Sequence, residues 1–108
     1  MTDENNTILL AIDTGRISEW PTKVSILELE KLALTAGLSV KEKIIQNLDK
    51  PNLKHYIGSG KIEEITEIIK QKNLTVCIAD DELTPAQHKN LEKLLKIKIL
   101  DRTSLILD

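Results

Sequence analysis

The chain has 108 residues, a common size for one domain and too short for two ordinary ones. Apolar residues make up 41% and charged residues 30%, with no long Ser, Gln or Pro tract, so a disordered or fibrous class is excluded. A net charge of -2 with Trp20 and Tyr56 as the whole aromatic set excludes two nucleic-acid modules: one that coats its target by bulk positive charge, and one that stacks bases on several rings.

The longest pure apolar stretch, residues 8–12, falls far short of the roughly 20 residues that cross a bilayer, so no membrane-spanning segment is read. Residues 1–6 are acidic and polar, which does not fit a signal peptide, and the lone Cys77 cannot form an internal disulfide. The expected compartment is the cytoplasm. Lys plus Arg against Asp plus Glu run 3 to 6 over residues 1–37, 7 to 5 over 38–72 and 5 to 6 over 73–108. Only the middle third is positive.

Residues 7–13, TILLAID, are a branched apolar run ended by Asp13, Thr14 and Gly15, which predicts a buried strand and then a loop. Ser25 with Glu28 reads as a capping box opening a helix over residues 26–36. Its apolar face is Ile26, Leu29, Leu32, Ala33 and Ala36, and Gly37 supplies a left-handed stop. Residues 38–48 alternate at Leu38 and Val40, then less cleanly at Ile44, Gln46 and Leu48, as a strand with one solvated face does. A turn at residues 49–52 follows, able to form a local antiparallel pair, and residues 55–57 read as a strand end.

From Gly60 the spacing of Ile62, Ile65, Ile68 and Ile69 predicts an amphipathic helix to Lys72. Residues 74–79, LTVCIA, form a continuous branched run that predicts a central strand covered on both faces. Thr84, Pro85 and Gln87 give a cap, a first-position proline and a capping-box partner for a helix carrying Leu91, Leu94 and Leu95. Residues 97–100 close as a strand, and Asp101 or Thr103 caps a helix that has barely begun at Asp108. The end reads as a cut. The fold class expected is α/β, a mostly parallel sheet of about four to five strands flanked by helices.

Two turns hold candidate chemistry. Gly58, Ser59, Gly60 and Lys61 join a strand to a helix, where glycines permit close approach, the helix start offers N–H groups and the lysine a charge, a set suited to an anion. A phosphate loop of the form G-x-x-x-x-G-K followed by Ser or Thr would need Gly where His55 stands and a hydroxyl where Ile62 stands. The plainer reading is a tight connection with Ser59 as cap and Lys61 in solvent. Asp80, Asp81 and Glu82 end the central strand, where such sheets place ligands, and could hold Mg²⁺ through water. The plainer reading is negative charge at the start of the next helix.

Lys50, Lys54, His55, Tyr56 and Lys61 could meet RNA phosphates, though a solvated basic loop is the commoner origin of such a patch. One Cys and the distant His55 and His88 make no metal cluster, and a buried structural thiol is the commoner role for Cys77. No nucleophile elbow or zinc-protease motif is present. No catalytic residue is assigned.

The phrases LEKLALTAGLSV, LDKPNLKHYIGSGKIEEI, IADDELTPAQHKNLEK and IKILDRTSLILD, in this order and spacing, resemble the amino-terminal domain of the HflX family of ribosome-associated GTPases. The resemblance covers residues 25–108, with residues 1–24 as the strand and loop that begin the domain. It implies an α/β domain followed by a helical hairpin and a G domain that binds GTP with Mg²⁺. It also implies the large ribosomal subunit and its RNA as partners, and contacts to the protein's own hairpin and G domain. ATP bound outside the G domain is a further implication; the runner-up function is an ATP-binding domain using residues 58–61. On this sequence the family's glycine-lysine turn falls on Tyr56, Ile57, Gly58, Ser59, Gly60 and Lys61. Its acidic turn falls on Asp80, Asp81, Glu82, Leu83, Pro85 and Gln87, and its exit on Asp101, Arg102 and Thr103. Arg102 is either an interface residue or the partner of Asp101 in a local ion pair.

Overall fold

The computed structural model describes residues 5–15 and 20–107; expectations for residues 1–4, 16–19 and Asp108 fall outside them. The elements are β1 (Asn6–Asp13), α1 (Thr22–Thr35), β2 (Ser39–Asn47), α2 (Ser59–Lys72), β3 (Val76–Ala79), α3 (Pro85–Leu95), β4 (Lys98–Asp101) and α4 (Arg102–Leu107). The strands form one sheet in the order β2-β1-β3-β4, and every pairing is parallel. The α/β expectation holds, with four strands.

β1 and β3 occupy the two interior positions because both faces of each are apolar. Ile8, Leu10 and Ile12 of β1 and Cys77 and Ala79 of β3 meet Ile65 and Ile69 of α2 and Leu91 and Leu95 of α3. Leu9 and Ala11, with Val76 and Ile78, meet Ile26, Leu29 and Ala33 of α1 on the opposite face. Each fully buried side chain of this size contributes about 1.5–3 kcal/mol by leaving water. Burial also pushes the Cys77 thiol up to about 12, so it packs as a small apolar group.

The uneven alternation of β2 has a specific cause. Thr7 pairs with Val40 but Ile8 pairs with Glu42, so Lys41 is an extra residue, a bulge that inverts the facing of everything after it. Leu38 and Val40 before it pack towards α1, whereas Ile44 and Leu48 after it pack towards α2.

Several boundaries differ from expectation. Residues 55–57 form no strand; Asn52 and Tyr56 make one antiparallel bridge. α1 starts at Thr22 because the Pro21 carbonyl accepts from Val24 and Ser25 at 3.0 Å each; Pro21 is the N-cap and, having no side-chain oxygen, makes no side-chain cap bond. The Ser25 and Glu28 capping box is therefore not formed, and both residues fall within the helix. Gly58, not Ser59, is the N-cap of α2, again with no side-chain cap bond. Leu94 is exposed rather than core. The Thr84 and Gln87 capping box is formed in full, and Gly37 takes the left-handed stop at φ +85°.

Candidate functional site

Strand β1 leads out to β2 on one side, and the chain returns across it to β3 on the other. The order reverses between β1 and β3, and the crevice at their carboxyl ends is where open sheets of this kind receive ligands. The structure brings the acidic turn and the exit arginine to this end of the sheet and joins the glycine turn to them.

Asp80 continues the β3 alternation towards the α1 side, and its carboxylate is almost wholly buried. Arg102, the first residue of α4, reaches it: Nη1 donates to Asp80 Oδ1 at 2.7 Å and to Ser25 Oγ at 3.1 Å. Its Nη2 stands 3.5 Å from Glu28 Oε1. Arg102 therefore ties α4 to α1 and to the end of β3. The local ion pair with Asp101 is not what forms, because both oxygens of Asp101 are taken by backbone. Oδ1 accepts from the Ser104 N–H at 2.8 Å, capping α4, and Oδ2 from the Leu83 N–H at 3.0 Å. Burial works to raise the Asp101 carboxyl, but these N–H bonds outweigh it and hold it below the usual carboxylate range.

Asp81 faces the other way and accepts from the Tyr56 hydroxyl at 2.6 Å. The ring of Tyr56 is buried in the α2–α3 core, so it offers no face for stacking a base. Burial first, and then the negative charge of Asp81, push its phenol far above the ordinary value. Burial of the Asp81 oxygen also raises that carboxyl, the Tyr56 bond working against the shift. Tyr56 has φ +68°, and the Ile57 N–H donates to the His55 carbonyl at 2.6 Å, a three-residue turn of the rare positive-φ kind. A bulky residue there carries backbone strain. The strain is held by the burial of the ring and by its bond to Asp81. Glu82 is exposed.

The glycine turn is built by close approach. A Cβ on Gly58 would stand 2.7 Å from Gln46 Nε2, and the Gly58 N–H donates to Gln46 Oε1 at 2.8 Å. Gly60 has open space around its Cα. Lys61 turns back along its own helix to Glu64 Oε2 at 2.7 Å. The Gly58 N–H and the Lys61 ammonium both have partners within the chain, and Ile62 offers no hydroxyl. Lys54 lies at the surface with its carbonyl accepting from Asn90 Nδ2 at 2.7 Å.

The comparisons with known proteins bear on these same turns. The family described as GTP-binding GTPase N-terminal matches residues 23–108, which spans both turns and the exit arginine. GTPase HflX of Flavobacterium psychrophilum is 45% identical over 94% of this chain and 25% of its own length. GTPase HflX of Lacrimispora saccharolytica is 46% identical over 97% and 24%, and that of Escherichia coli strain K12 is 40% identical over 75% and 19%. This chain is a GTP-binding GTPase N-terminal domain of the HflX family. It spans about a quarter of the length of the curated HflX relatives it matches. A crystal structure of an SsGBP variant superimposes with a TM-score of 0.71 at 24% identity, covering 94% of this chain and 31% of that one. A crystal structure of SsGBP in complex with GDP gives 0.68 over 94% and 28%. The likeness to these structures is one of fold.

The glycine turn and the acidic turn are joined through Tyr56, which stands two residues before Gly58 and bonds Asp81. Sequence reasoning missed the partners that complete the arrangement: Gln46, Ser25 and Glu28. Ser25 and Glu28 were legible only as a helix cap, since nothing local in the sequence connects them to a residue 77 positions away. Also missed was an open cleft of about 510 Å³ at the carboxyl ends of β1 and β2, lined by Asp13, Thr14, Gly15, Asn47, Leu48 and Asp49. Among the described residues no group of three or more His, Cys, Asp or Glu could hold a metal ion, and no helix is long and apolar enough to cross a membrane.

Proposed function

We propose that this chain is the amino-terminal module of an HflX-like GTP-binding protein, and that it helps to dock that protein on the RNA of the large ribosomal subunit. In the same reading it couples docking to a GTPase domain elsewhere in the protein, where GTP and Mg²⁺ would be bound. The observation that carries this is the family match across residues 23–108, in relatives named as GTPases of which this chain spans about a quarter. A module that lacks a phosphate loop of its own serves such a protein by placing it, not by turning over nucleotide. The expected result is that the chain sediments with purified large subunits and is displaced by salt. Recovery of the chain in the supernatant at low salt would remove the docking role.

ATP at residues 58–61 is the competing reading. The partners of the Gly58 N–H and the Lys61 ammonium weigh against it, because ATP would have to displace Gln46 and Glu64. Calorimetry of the chain with millimolar ATP and Mg²⁺ is expected to show no binding heat; a saturable heat lost in Lys61→Gln would establish that reading instead.

A further inference from the structure

Residues 80–87, which lead from β3 into α3, are held from two sides. On the side of β4 and α4, Asp80 Oδ1 accepts from Arg102 Nη1 at 2.7 Å and the Leu83 N–H donates to Asp101 Oδ2 at 3.0 Å. On the side of the segment before α2, Asp81 Oδ2 accepts from the Tyr56 hydroxyl at 2.6 Å and Gln87 Nε2 donates to the Asn52 carbonyl at 2.8 Å. The same short stretch therefore links the start of α4 to the turn of residues 52–58.

Each side of the link carries a cost that the other side helps to hold. Asn52 and Tyr56 exchange two backbone bonds at 2.9 Å, yet Tyr56 keeps φ +68°, a conformation that a bulky residue seldom adopts. Its buried ring and its bond to Asp81 keep it there. Opposite, the carboxylate of Asp80 is almost wholly buried with Arg102 as its cation. Without that cation the carboxylate has to turn towards water, and Asp81, the next residue, is drawn with it. The charges also reach across the link. Burial and the charge of Asp80 raise the Asp81 carboxyl, while the Tyr56 hydroxyl and the charge of Arg102 work to lower it.

We propose that residues 80–87 act as a coupling bar, through which the seating of α4 controls the conformation of the 52–58 turn. With Arg102 on Asp80, the bar holds Tyr56 in and the turn is fixed. A displacement of α4 that withdraws Arg102 sends Asp80 outwards, takes Asp81 from the Tyr56 hydroxyl and lets Tyr56 leave its left-handed conformation. The segment carrying Leu53, which is 78% exposed, changes shape with it. The coupling runs in both directions, because a bias of one site on another is reciprocal at equilibrium. It is a property of the domain itself and stands apart from the docking role. Two independent joints that share a strand end are the alternative, and they carry no signal from one to the other.

Amide hydrogen exchange of the chain, followed residue by residue by NMR, reads both ends of the bar under native conditions. The Tyr56 and Gly58 N–H groups, bonded to the Asn52 carbonyl and to Gln46 Oε1, report the turn. Those of Leu83 and Ser104, both bonded to Asp101, report the seating of α4, and the amides of β1 report global opening. Arg102→Met is expected to speed exchange at Tyr56 and Gly58 about tenfold or more beyond any change in β1. Adding Asp80→Leu, which removes the charge in need of water, should bring the turn back to within about threefold of the parent. In the reverse direction Tyr56→Phe, which keeps the ring and leaves the Asp80 pair intact, should speed exchange at Leu83 and Ser104 about fivefold or more beyond β1. Should Arg102→Met fail to fold, Tyr56→Phe decides alone. Turn amides that follow β1 in Arg102→Met, or Leu83 and Ser104 amides that follow β1 in Tyr56→Phe, would show two independent joints and overturn the coupling.

Discussion

At residues 80–82 two carboxylates leave one strand end in opposite directions and each meets a side chain from another element, the buried Asp80 a guanidinium and the more exposed Asp81 a phenol. At residues 58–61 the chain makes its close contact through backbone, and its charge stays near the surface beside a neighbouring glutamate. The two turns look equally chemical in sequence. One is a joint between elements and the other a tight passage with a solvated lysine. The difference lies in what surrounds each charge: a buried carboxylate needs a partner supplied by another element, whereas an exposed ammonium is served by water.

Substitutions at each turn should separate them by size of effect. Arg102→Met leaves the Asp80 carboxylate, with 3% of its side chain exposed, without its cation, and is expected to lower unfolding free energy by about 3–5 kcal/mol in urea titration. Adding Asp80→Leu should restore a large part of that loss; a double variant as unstable as the single one would mean that Arg102 acts by packing alone. Gly58→Val should cost about 1–3 kcal/mol by the same measurement, since its side chain displaces Gln46 and breaks the bond to the 58 N–H.

Asp101, beside the acidic joint, gives a smaller effect with a pH signature. Its folded carboxyl lies below its unfolded value, so the stability it contributes is present above about pH 4 and is lost as pH falls through the lower folded value. The difference in melting temperature between the parent and Asp101→Asn should therefore shrink as pH is lowered from 5 towards 2, in the range of carboxylate titration. A difference independent of pH would show that the amide loses geometry rather than charge. Lys61→Gln closes the series, with an expected change below about 0.5 kcal/mol, because it removes one exposed ion pair. A larger loss would make the glycine turn a joint as well and dissolve the contrast.

Much of this was readable before any coordinates. β1, β3 and the helices between them announced themselves through branched runs and helical spacing, since burial on both faces leaves no polar position to blur the pattern. The Thr84 and Gln87 cap and the stop at Gly37 were likewise local, set by residues three or four apart. β2 was harder because a single bulged residue, Lys41, reverses its facing midway. The start of α1 was misplaced because Ser25 and Glu28 spell a cap in sequence while Pro21 supplies the first carbonyl.

The sequence by itself determined the fold class, the family and the position of the glycine and acidic turns, because these depend on short-range spacing and on the order of phrases. Tertiary structure alone decided which charges are spent inside and which face out. Asp80 and Arg102 are 22 residues apart and Tyr56 and Asp81 are 25 apart, so the pairings arise only when the end of β3 is brought beside the start of α4 on one side and the loop before α2 on the other. Among the described ion pairs Lys61 has its i+3 glutamate as partner while Lys89, with a glutamate at the same spacing, has none, a distinction that the spacing alone does not make.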